Sequence, residues 1–177
     1  MTPSRHYSVG NRIVADESGQ AAVEFAMVVT LALVILFAII DFGRALNYMQ
    51  VMVGLTRQGS NLASRGTSLA KSAAAVVGGS SPLNLGSNGE VIVTSVATLN
   101  RVNVITGQAS QGGIPCTSKI GQGVGKPATV PPATATMLQN GQTIFITEVC
   151  YSYKPITPLG NFVKMIMPSR LYEAAYF

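Results

Sequence analysis

A long apolar run close to the N-terminus limits the folds open to this chain. Residues 25–40 contain no charge, no Pro and no Gly, and residues 21–24 lengthen the stretch to 20 residues. A helix of that length spans roughly 30 Å, which is the hydrocarbon thickness of a bilayer. A helix buried in a soluble core is the alternative, but 16 consecutive apolar or Thr positions near the start of a chain disfavour it. We therefore predict a single membrane-spanning helix.

Glu24 is the only charged residue in this stretch, and two interpretations of it are open. In the first, it is a first-turn Glu favoured by the positive end of the helix dipole, with its carboxylate reaching the lipid headgroups. In the second, a cut after Gly19 makes Glu24 the fifth residue of the product. This spacing resembles that of type IV pilins, in which the carboxylate of the fifth residue is thought to meet the N-terminal amine of a neighbouring subunit. Such a pair favours correct stacking, because a misplaced subunit would bury an unpaired ion.

Two short sequences at the ends of the run resemble the TadE-like family, which comprises minor pilins or pseudopilins of Flp-type pili and tight-adherence secretion systems. They are Gly-Gln-Ala-Ala-Val-Glu-Phe-Ala at residues 19–26 and Ile-Asp-Phe-Gly-Arg at residues 40–44. The resemblance covers several features in a set order. These are a Gly, a Glu, an apolar run and, after the run, an acidic residue followed by Gly and Arg. A later segment, residues 149–159, also resembles the strand and Pro-bounded loop near the end of TadE-like proteins.

The resemblance implies roles for individual residues. Gly19 and Gln20 would form the processing site, and Glu24 and Phe25 would act in assembly. Asp41, Gly43 and Arg44 would mark the exit from the membrane. Gln20 stands where many major pilins have an apolar residue, and Phe25 stands where the main Flp pilin usually has Tyr. The implied partners are the membrane, other pilin subunits, the pilus assembly machinery and a prepilin peptidase.

The composition agrees with a membrane-anchored protein and gives no sign of a nucleic acid partner. Hydrophobic residues make up 47% of the chain and charged residues only 11%. The 12 Lys and Arg residues are spread almost evenly, so no basic run would follow nucleic acid phosphates. Basic residues flank the apolar run almost equally, and charge therefore leaves its orientation open. From the cysteines and the resemblance, we expect a bacterial inner-membrane protein with a cytoplasmic N-terminus and a periplasmic or extracellular C-terminal part.

The chain is predicted to have three regions. Residues 1–19 lack hydrophobic periodicity and are predicted to be a cytoplasmic leader, which is cleaved on the pilin interpretation. Residues 20–77 are predicted to form a long helix that is transmembrane first and amphipathic later, with a kink or break left open among the glycines of residues 54–66. A Gly-Gly-Ser-Ser-Pro breaker begins at Gly78, so residues 78–177 are predicted to form a head outside the membrane.

The head shows the pattern of short antiparallel strands. β-branched residues cluster at 91–96 and 102–105, and the strongest strand pattern covers residues 143–153. Residues 170–177 are predicted to form a closing strand, and residues 108–132 a long loop rich in Gly, Pro, Ser and Thr. A long N-terminal helix followed by a small antiparallel sheet is an α+β fold, which is also the general build of a pilin.

The sequence shows no catalytic constellation. The only His, His6, lies in the leader, which removes the common acid-base residue from the head. Glu90, Glu148 and Glu173 are too few for a convincing carboxylate pair or metal cage. The Gly-rich residues 121–127 lack the first Gly and the Ser or Thr of a phosphate loop. We therefore expect no enzyme activity, no cofactor and no metal.

The chain has two cysteines, Cys116 and Cys150. In a domain outside the inner membrane they indicate a disulfide, which would stabilise the head by roughly 3 to 4 kcal/mol in the chain-entropy model. Two free thiols in a reducing compartment are the alternative, and that outcome would reverse the topology.

We predict a structural minor pilin or pseudopilin of a tight-adherence pilus, held in the membrane by its helix and assembled through helix packing. The alternative is an uncleaved single-pass membrane protein whose head is an envelope binding module.

Overall fold

The computed structural model of the chain describes residues 17–135, 139–158, 160, 165 and 168–177. In chain order its elements are α1 (Glu17–Ser64), α2 (Leu69–Gly78), α3 (Leu85–Asn88), β1 (Gly89–Leu99), β2 (Val102–Gly112), α4 (Pro132–Ala135), β3 (Thr143–Ser152) and β4 (Arg170–Tyr176). Contacts within the chain divide it into two compact units, Met1–Leu36 and Phe37–Phe177. α1 begins in the first unit and ends in the second.

The described part of the first unit is the beginning of α1. Every residue from 19 to 36 is exposed. Among the described residues, one helical stretch, Gly19–Ser64, is long and apolar enough to cross a membrane, and its most apolar part is not buried in the chain. This suggests a single-pass membrane protein, because so much exposed apolar surface requires apolar surroundings. The predicted leader lies outside the described residues except for its last three, which are helical.

The second unit is built around a four-stranded antiparallel sheet with the strand order β2-β1-β3-β4. β1 and β2 form a tight hairpin through Asn100 and Arg101, whose φ angles are 53° and 66°. Two left-handed residues are typical of two-residue hairpin turns, because their twist matches that of the strands. The predicted α+β fold, a long apolar helix followed by a small antiparallel sheet, is confirmed.

One end of β2 differs from the prediction. Residues 108–112 were expected to begin the long loop, but they pair with residues 90–94 of β1 and belong to β2. Gly, Ser and Gln have little strand propensity, so the local sequence does not reveal this strand. Pairing with a buried neighbouring strand overrides the local preference, and the loop begins after Gly112.

α1 ends at Ser64, before the predicted end of the long helix. Gly66 adopts a left-handed φ of 89°. Its N–H donates to the Ala63 carbonyl at 3.0 Å, and the Thr67 N–H donates to the Leu62 carbonyl at 3.1 Å. These two bonds form a Schellman cap, in which Gly turns the chain out of the helix. The break that the sequence left open therefore falls at Gly66, and α2 follows as a separate helix.

One face of the sheet packs against α1 and α2. The buried apolar residues of this core are Ala45, Tyr48, Met52, Leu55, Ala63, Ala73, Val76, Leu83, Leu85, Val91, Val93, Val149, Tyr151, Tyr153 and Leu171. α1 lies close to β3 at Gly59, where an added Cβ would lie 2.7 Å from both Cγ2 and Oγ1 of Thr147. The Ser60 hydroxyl donates to the Ala175 carbonyl at 3.0 Å and ties α1 to β4. Side chains and backbone contacts thus fix the second part of α1 on the sheet.

The loop between β2 and β3 covers the other face of the sheet. Ile120 of this loop packs with Val96, Ile105 and Ile146, and all four are at most 2% exposed. The Ile105 N–H donates to the Lys126 carbonyl at 3.0 Å, and its carbonyl accepts the Gly125 N–H at 2.8 Å. The loop therefore closes a second small core and pairs with part of the outer edge of β2.

Candidate functional site

The predicted processing and assembly residues lie close together near the start of α1. A Cβ added at Gly19 would meet no atom within 4 Å, so the chain leaves this position open to approach. The Gln20 side-chain amide donates to Oε1 of Glu24 at 3.0 Å, across one helical turn. Phe25 is 70% exposed. The structure brings the four residues onto neighbouring positions of one helix, and their roles in processing and assembly stay predictions.

The predicted membrane-exit residue Asp41 is fully buried against the loop that follows β3. Its carboxylate accepts the Ile156 N–H at 3.1 Å and the Thr157 hydroxyl at 2.5 Å. Its backbone carbonyl accepts the Tyr153 hydroxyl at 2.7 Å. Three hydrogen bonds therefore join the first residue after the apolar run to a segment more than 110 positions later in the chain.

Arg44 lies one turn after Asp41 and packs on aromatic rings. Its Nη2 donates to the Tyr48 hydroxyl at 2.7 Å, and its guanidinium carbon is 5.3 Å from the centre of the Tyr48 ring. Tyr48 meets Tyr151 and Tyr153 edge to face, with ring centres 5.4 and 6.1 Å apart. We call Asp41, Arg44, Tyr48, Tyr151 and Tyr153 the exit cluster.

Burial and nearby charge raise the pKa values of Tyr151 and Tyr153, two tyrosines of the exit cluster. Burial, and then the negative charge of Asp41, raise the pKa of Tyr153. Burial, and then Tyr48, raise the pKa of Tyr151, while Arg44 acts in the opposite direction. Tyr153 is therefore a stable hydrogen-bond donor to Asp41 at neutral pH.

Gly43, the remaining predicted exit residue, takes no part in the exit cluster. A Cβ added there would meet nothing within 4 Å. Phe42 beside it is 54% exposed. Gly43 and Phe42 thus lie on the side of α1 that faces away from the sheet, and no packing within the described residues explains why position 43 is Gly.

A second polar cluster fixes the loop that covers the sheet. Cys116 of the loop and Cys150 of β3 are joined in a disulfide with their Cα atoms 6.3 Å apart. The Cys116 N–H also donates to the carboxylate of Glu90 on β1. The loop is therefore attached to both central strands of the sheet.

Glu148 of β3 is fully buried and binds the same loop. Its carboxylate accepts the Ser118 hydroxyl at 2.5 Å, the Lys119 N–H at 2.7 Å and the Tyr172 hydroxyl at 2.6 Å. The Lys119 ammonium lies 3.8 Å from the centre of the Tyr172 ring. Burial, and then the hydrogen bond to Glu148, raise the pKa of Tyr172. Every donor around this carboxylate holds the loop or β4 in place, as expected of a structural acid.

A shallow cleft lies beside this loop. It encloses about 320 Å³, and its lining is Glu90, Ile92, Gln108, Ala109, Ser110, Cys116, Ser118 and Gln122. Within the part of the chain that the structure describes, no group of three or more His, Cys, Asp or Glu side chains could hold a metal ion. The cleft contains one carboxylate, Glu90, which is already bound to the Cys116 N–H, so the arrangement offers no acid-base pair.

Sequence reasoning found Asp41 and Arg44 but missed their partners. The sequence pattern places Tyr153 in the strand of residues 143–153 and Thr157 in the Pro-bounded loop after it, and gives neither residue a partner. The one available signal was the alternation of Tyr151 and Tyr153 on the strand that ends just before the Pro-bounded loop, since buried Tyr hydroxyls require acceptors.

Comparison with known families addresses the helix and not the sheet. Residues 19–61 match a family model described as TadE-like protein. No curated protein and no solved structure matches the chain. The match runs from the predicted processing site, through the apolar run and the exit cluster residues of α1, to the turn that contacts β3 and β4. A TadE-like segment implies a protein associated with a tight-adherence pilus and carrying an N-terminal hydrophobic helix. Residues 19–61 of this chain are thus a TadE-like segment, which confirms the resemblance seen in the sequence.

Proposed function

We propose that this protein is a structural subunit of a tight-adherence pilus, with the role of a minor pilin or pseudopilin. One observation supports this most: the TadE-like segment begins at Gly19 on an exposed apolar helix, and the same helix ends packed on the sheet. Such a chain has a part suited to a bilayer or to a bundle of apolar helices, and a part suited to water. A structural subunit needs both parts and needs no catalytic site.

Glu24 is proposed to direct assembly. Its side chain is exposed on α1, and within the chain it accepts a single described hydrogen bond, from the Gln20 amide. Cleavage after Gly19 would make Gln20 the N-terminal residue and would create an ammonium group. In apolar surroundings, a carboxylate on one subunit and an ammonium on its neighbour stabilise one register and penalise the others. Phe25, which is 70% exposed, would pack beside this pair.

The exit cluster is proposed to hold the sheet in a fixed position on the second part of α1. Asp41 binds the loop after β3 through both carboxylate oxygens, and Tyr153 binds the Asp41 carbonyl. These contacts surround the point where the apolar run ends, so the sheet and this part of α1 move as one body. In this proposal, Asp41 and Arg44 attach α1 to the sheet. Gly43 faces outward, where it can contact other subunits.

The proposed location is the bacterial inner membrane, with the N-terminus in the cytoplasm and the sheet in the periplasm or outside the cell. The disulfide between Cys116 and Cys150 supports an oxidising compartment for the sheet. The proposed partners are other pilin subunits, the assembly machinery and a prepilin peptidase.

Processing at Gly19 is tested by comparing two Gly→Leu variants in cells that contain the native assembly machinery. Gly19→Leu should block cleavage, because a branched side chain at the scissile bond hinders the close approach of the peptidase. Gly54→Leu is the matched control, since position 54 is also an open helical Gly with no atom within 4 Å of an added Cβ. Intact mass should give a chain beginning at Gln20 for the wild type and Gly54→Leu, and a chain that retains residues 1–19 for Gly19→Leu.

The opposite result has an equally definite meaning. If the wild type and both variants retain the first 19 residues, the chain is an uncleaved single-pass anchor. The function would then be that of an envelope binding module, and the cleft beside Glu90 would become its first candidate surface.

A further inference from the structure

The loop that follows β3 is held at the membrane end of the second unit. We call residues 154–158 the exit loop. Asp41 binds it at Ile156 and Thr157, and Asp41 directly follows Ile40, the last residue of the apolar run. The exit loop is therefore fixed one residue beyond the segment that fits the hydrocarbon layer.

This position determines what surrounds the exit loop. An apolar run of 20 residues fills roughly 30 Å, so the residue that follows it lies at the level of the lipid headgroups. Ile39 and Ile40 are 63% and 40% exposed on the same part of α1, so the protein leaves these two side chains of the run uncovered. α1 already presents a surface to lipid at this point. The exit loop lies next to that surface and extends it on the side of the sheet.

The exit loop has the chemistry of a lipid-facing segment. Ile156 is 64% exposed, although its own backbone N–H is bound by Asp41. Lys154, two residues earlier, is exposed. An apolar side chain can enter the headgroup region, and the long stem of a nearby Lys can bring its ammonium to an anionic phosphate. Pro155 and Pro158 restrict the backbone, so the loop presents these side chains in a fixed arrangement.

We propose that the exit loop binds the phospholipid headgroup layer, with Ile156 inserted among the headgroups and Lys154 at an anionic phosphate. The proposal rests on the membrane span of the proposed function and adds a second point of membrane contact. Two points of contact fix the orientation of the sheet on the bilayer, whereas the helix alone leaves it free to tilt.

The chain provides a matched control at the other end of the sheet. Val124 is also 64% exposed, and its neighbour Gly125 is bound to Ile105. Ile105 pairs with Val96, which pairs with Ile144 on β3. Tyr153 lies nine residues after Ile144, so the two ends are roughly 30 Å apart. A probe at position 124 should therefore stay in water.

The test uses the full chain reconstituted in phosphatidylcholine vesicles, with and without phosphatidylglycerol. Ile156→Cys and Val124→Cys are each labelled with an environment-sensitive maleimide fluorophore, which spares the native cysteines because they are joined in a disulfide. Lipids that carry a nitroxide on the headgroup should quench the probe at 156 several-fold more than the probe at 124. Adding Lys154→Gln should remove the part of this quenching that depends on phosphatidylglycerol.

Two results would overturn the proposal, and they are distinguishable. Equal quenching at both positions, in protein that resists extraction by alkaline carbonate, would refute the lipid contact and leave the membrane span intact. Extraction of the unlabelled wild type by carbonate would refute the span, and the lipid contact would fail with it.

Discussion

The two parts of α1 share one helix but have opposite relations to the rest of the chain. Residues 19–36 are exposed on every side, whereas Ala45, Met52, Leu55 and Ala63 of the second part are buried against the sheet. Both parts are rich in apolar residues, so hydrophobic content alone does not separate them. The distribution of apolar residues around the helix separates the two parts. The first part is apolar on all sides, and the second part is apolar only on the side that faces the sheet.

The polar groups of the two parts sharpen this difference. In the first part, Gln20 bonds to Glu24 and the Thr30 hydroxyl bonds to the Ala26 carbonyl, so these polar groups find partners within the helix. In the second part, Asp41 and Ser60 bond to segments beyond residue 150. Polar side chains that reach across to other elements mark the part of a helix that belongs to a folded unit.

Breaking the disulfide should have the largest effect on the stability of the second unit and should leave the first part of α1 helical. Cys116→Ser should lower the free energy of unfolding by roughly 3 to 4 kcal/mol in the chain-entropy model, because the unfolded chain gains freedom. Near-ultraviolet circular dichroism of the full chain in detergent would follow the sheet during heating, while far-ultraviolet signal from the apolar helix persists. The double variant Cys116→Ser/Cys150→Ser is the control and should be insensitive to reductant. An unchanged melting temperature for Cys116→Ser under oxidising conditions would contradict the expectation.

Separating α1 from the sheet should have the next largest effect. Gly59→Leu should destabilise the second unit by about 2 to 3 kcal/mol, because the new side chain collides with Thr147 on a rigid strand. Gly54→Leu makes the same change five residues earlier, where there is open space, and should have little effect. Urea unfolding followed by Tyr fluorescence would compare them, and equal midpoints would show that α1 does not dock as described.

Alkaline pH should weaken the second unit selectively. The raised pKa of Tyr172 means that the folded state keeps a proton that the unfolded state releases above about pH 10. Stability is therefore fully present below that pH and falls above it, by about 1.4 kcal/mol per pH unit for each proton retained. Unfolding measured across this range should show a smaller slope for Tyr172→Phe. The slope should not vanish, because the pKa values of Tyr151, Tyr153 and Tyr176 are raised as well. An identical slope in Tyr172→Phe would refute this assignment.

Removing one hydroxyl from the exit cluster should cost less. Tyr153→Phe removes the bond to the Asp41 carbonyl and should destabilise the second unit by about 1 kcal/mol. Tyr176→Phe is the matched control, since the structure gives its hydroxyl no hydrogen bond among the described residues. Thermal unfolding would compare the two variants. If Tyr176→Phe were the more damaging, the exit cluster would not be the attachment that its geometry indicates.

The smallest effect on stability is expected in the first part of α1. Glu24→Ala should change the free energy of unfolding by less than about 0.5 kcal/mol, because the side chain is exposed. It should also preserve membrane insertion, since it makes the span more apolar. On the proposed function it should nevertheless impair copurification with pilus components. Normal copurification would remove the pairing role and leave only the interaction with the helix dipole.

Local patterns in the sequence were sufficient for α1, for most of the sheet and for part of the candidate site. The apolar run, the β-branched clusters and the Tyr-x-Tyr strand each reflect a local requirement of burial, so they predict the helix and three of the strands. The fourth strand was also predicted, at residues 170–177, and the structure has it at Arg170–Tyr176. The last part of β2 escaped prediction because its pairing with β1, and not its own composition, makes residues 108–112 a strand.

The functions of the acids could not be predicted, because each depends on a distant segment. Asp41 was identified by its place after the apolar run, but its partners lie 115 and 116 residues later. The sequence offers Glu148 only as a candidate catalytic acid. Its structural role depends on donors from a Gly-rich loop and from β4, which lie elsewhere in the chain. A short motif carries no information on which distant loop will supply its hydrogen-bond partners.

The tight turn at Asn100 and Arg101 has a consequence for the order of folding. The β1–β2 hairpin closes over two residues, while β1 must wait for a strand more than 40 residues later to gain its other neighbour. Short-range pairing loses less chain entropy and forms faster, so we expect the hairpin to form first and to serve as a template for β3. β4 would then arrive last. Until it does, the buried carboxylate of Glu148 lacks the Tyr172 hydroxyl, so the sheet stays open at this edge until residues 170–176 pair with β3.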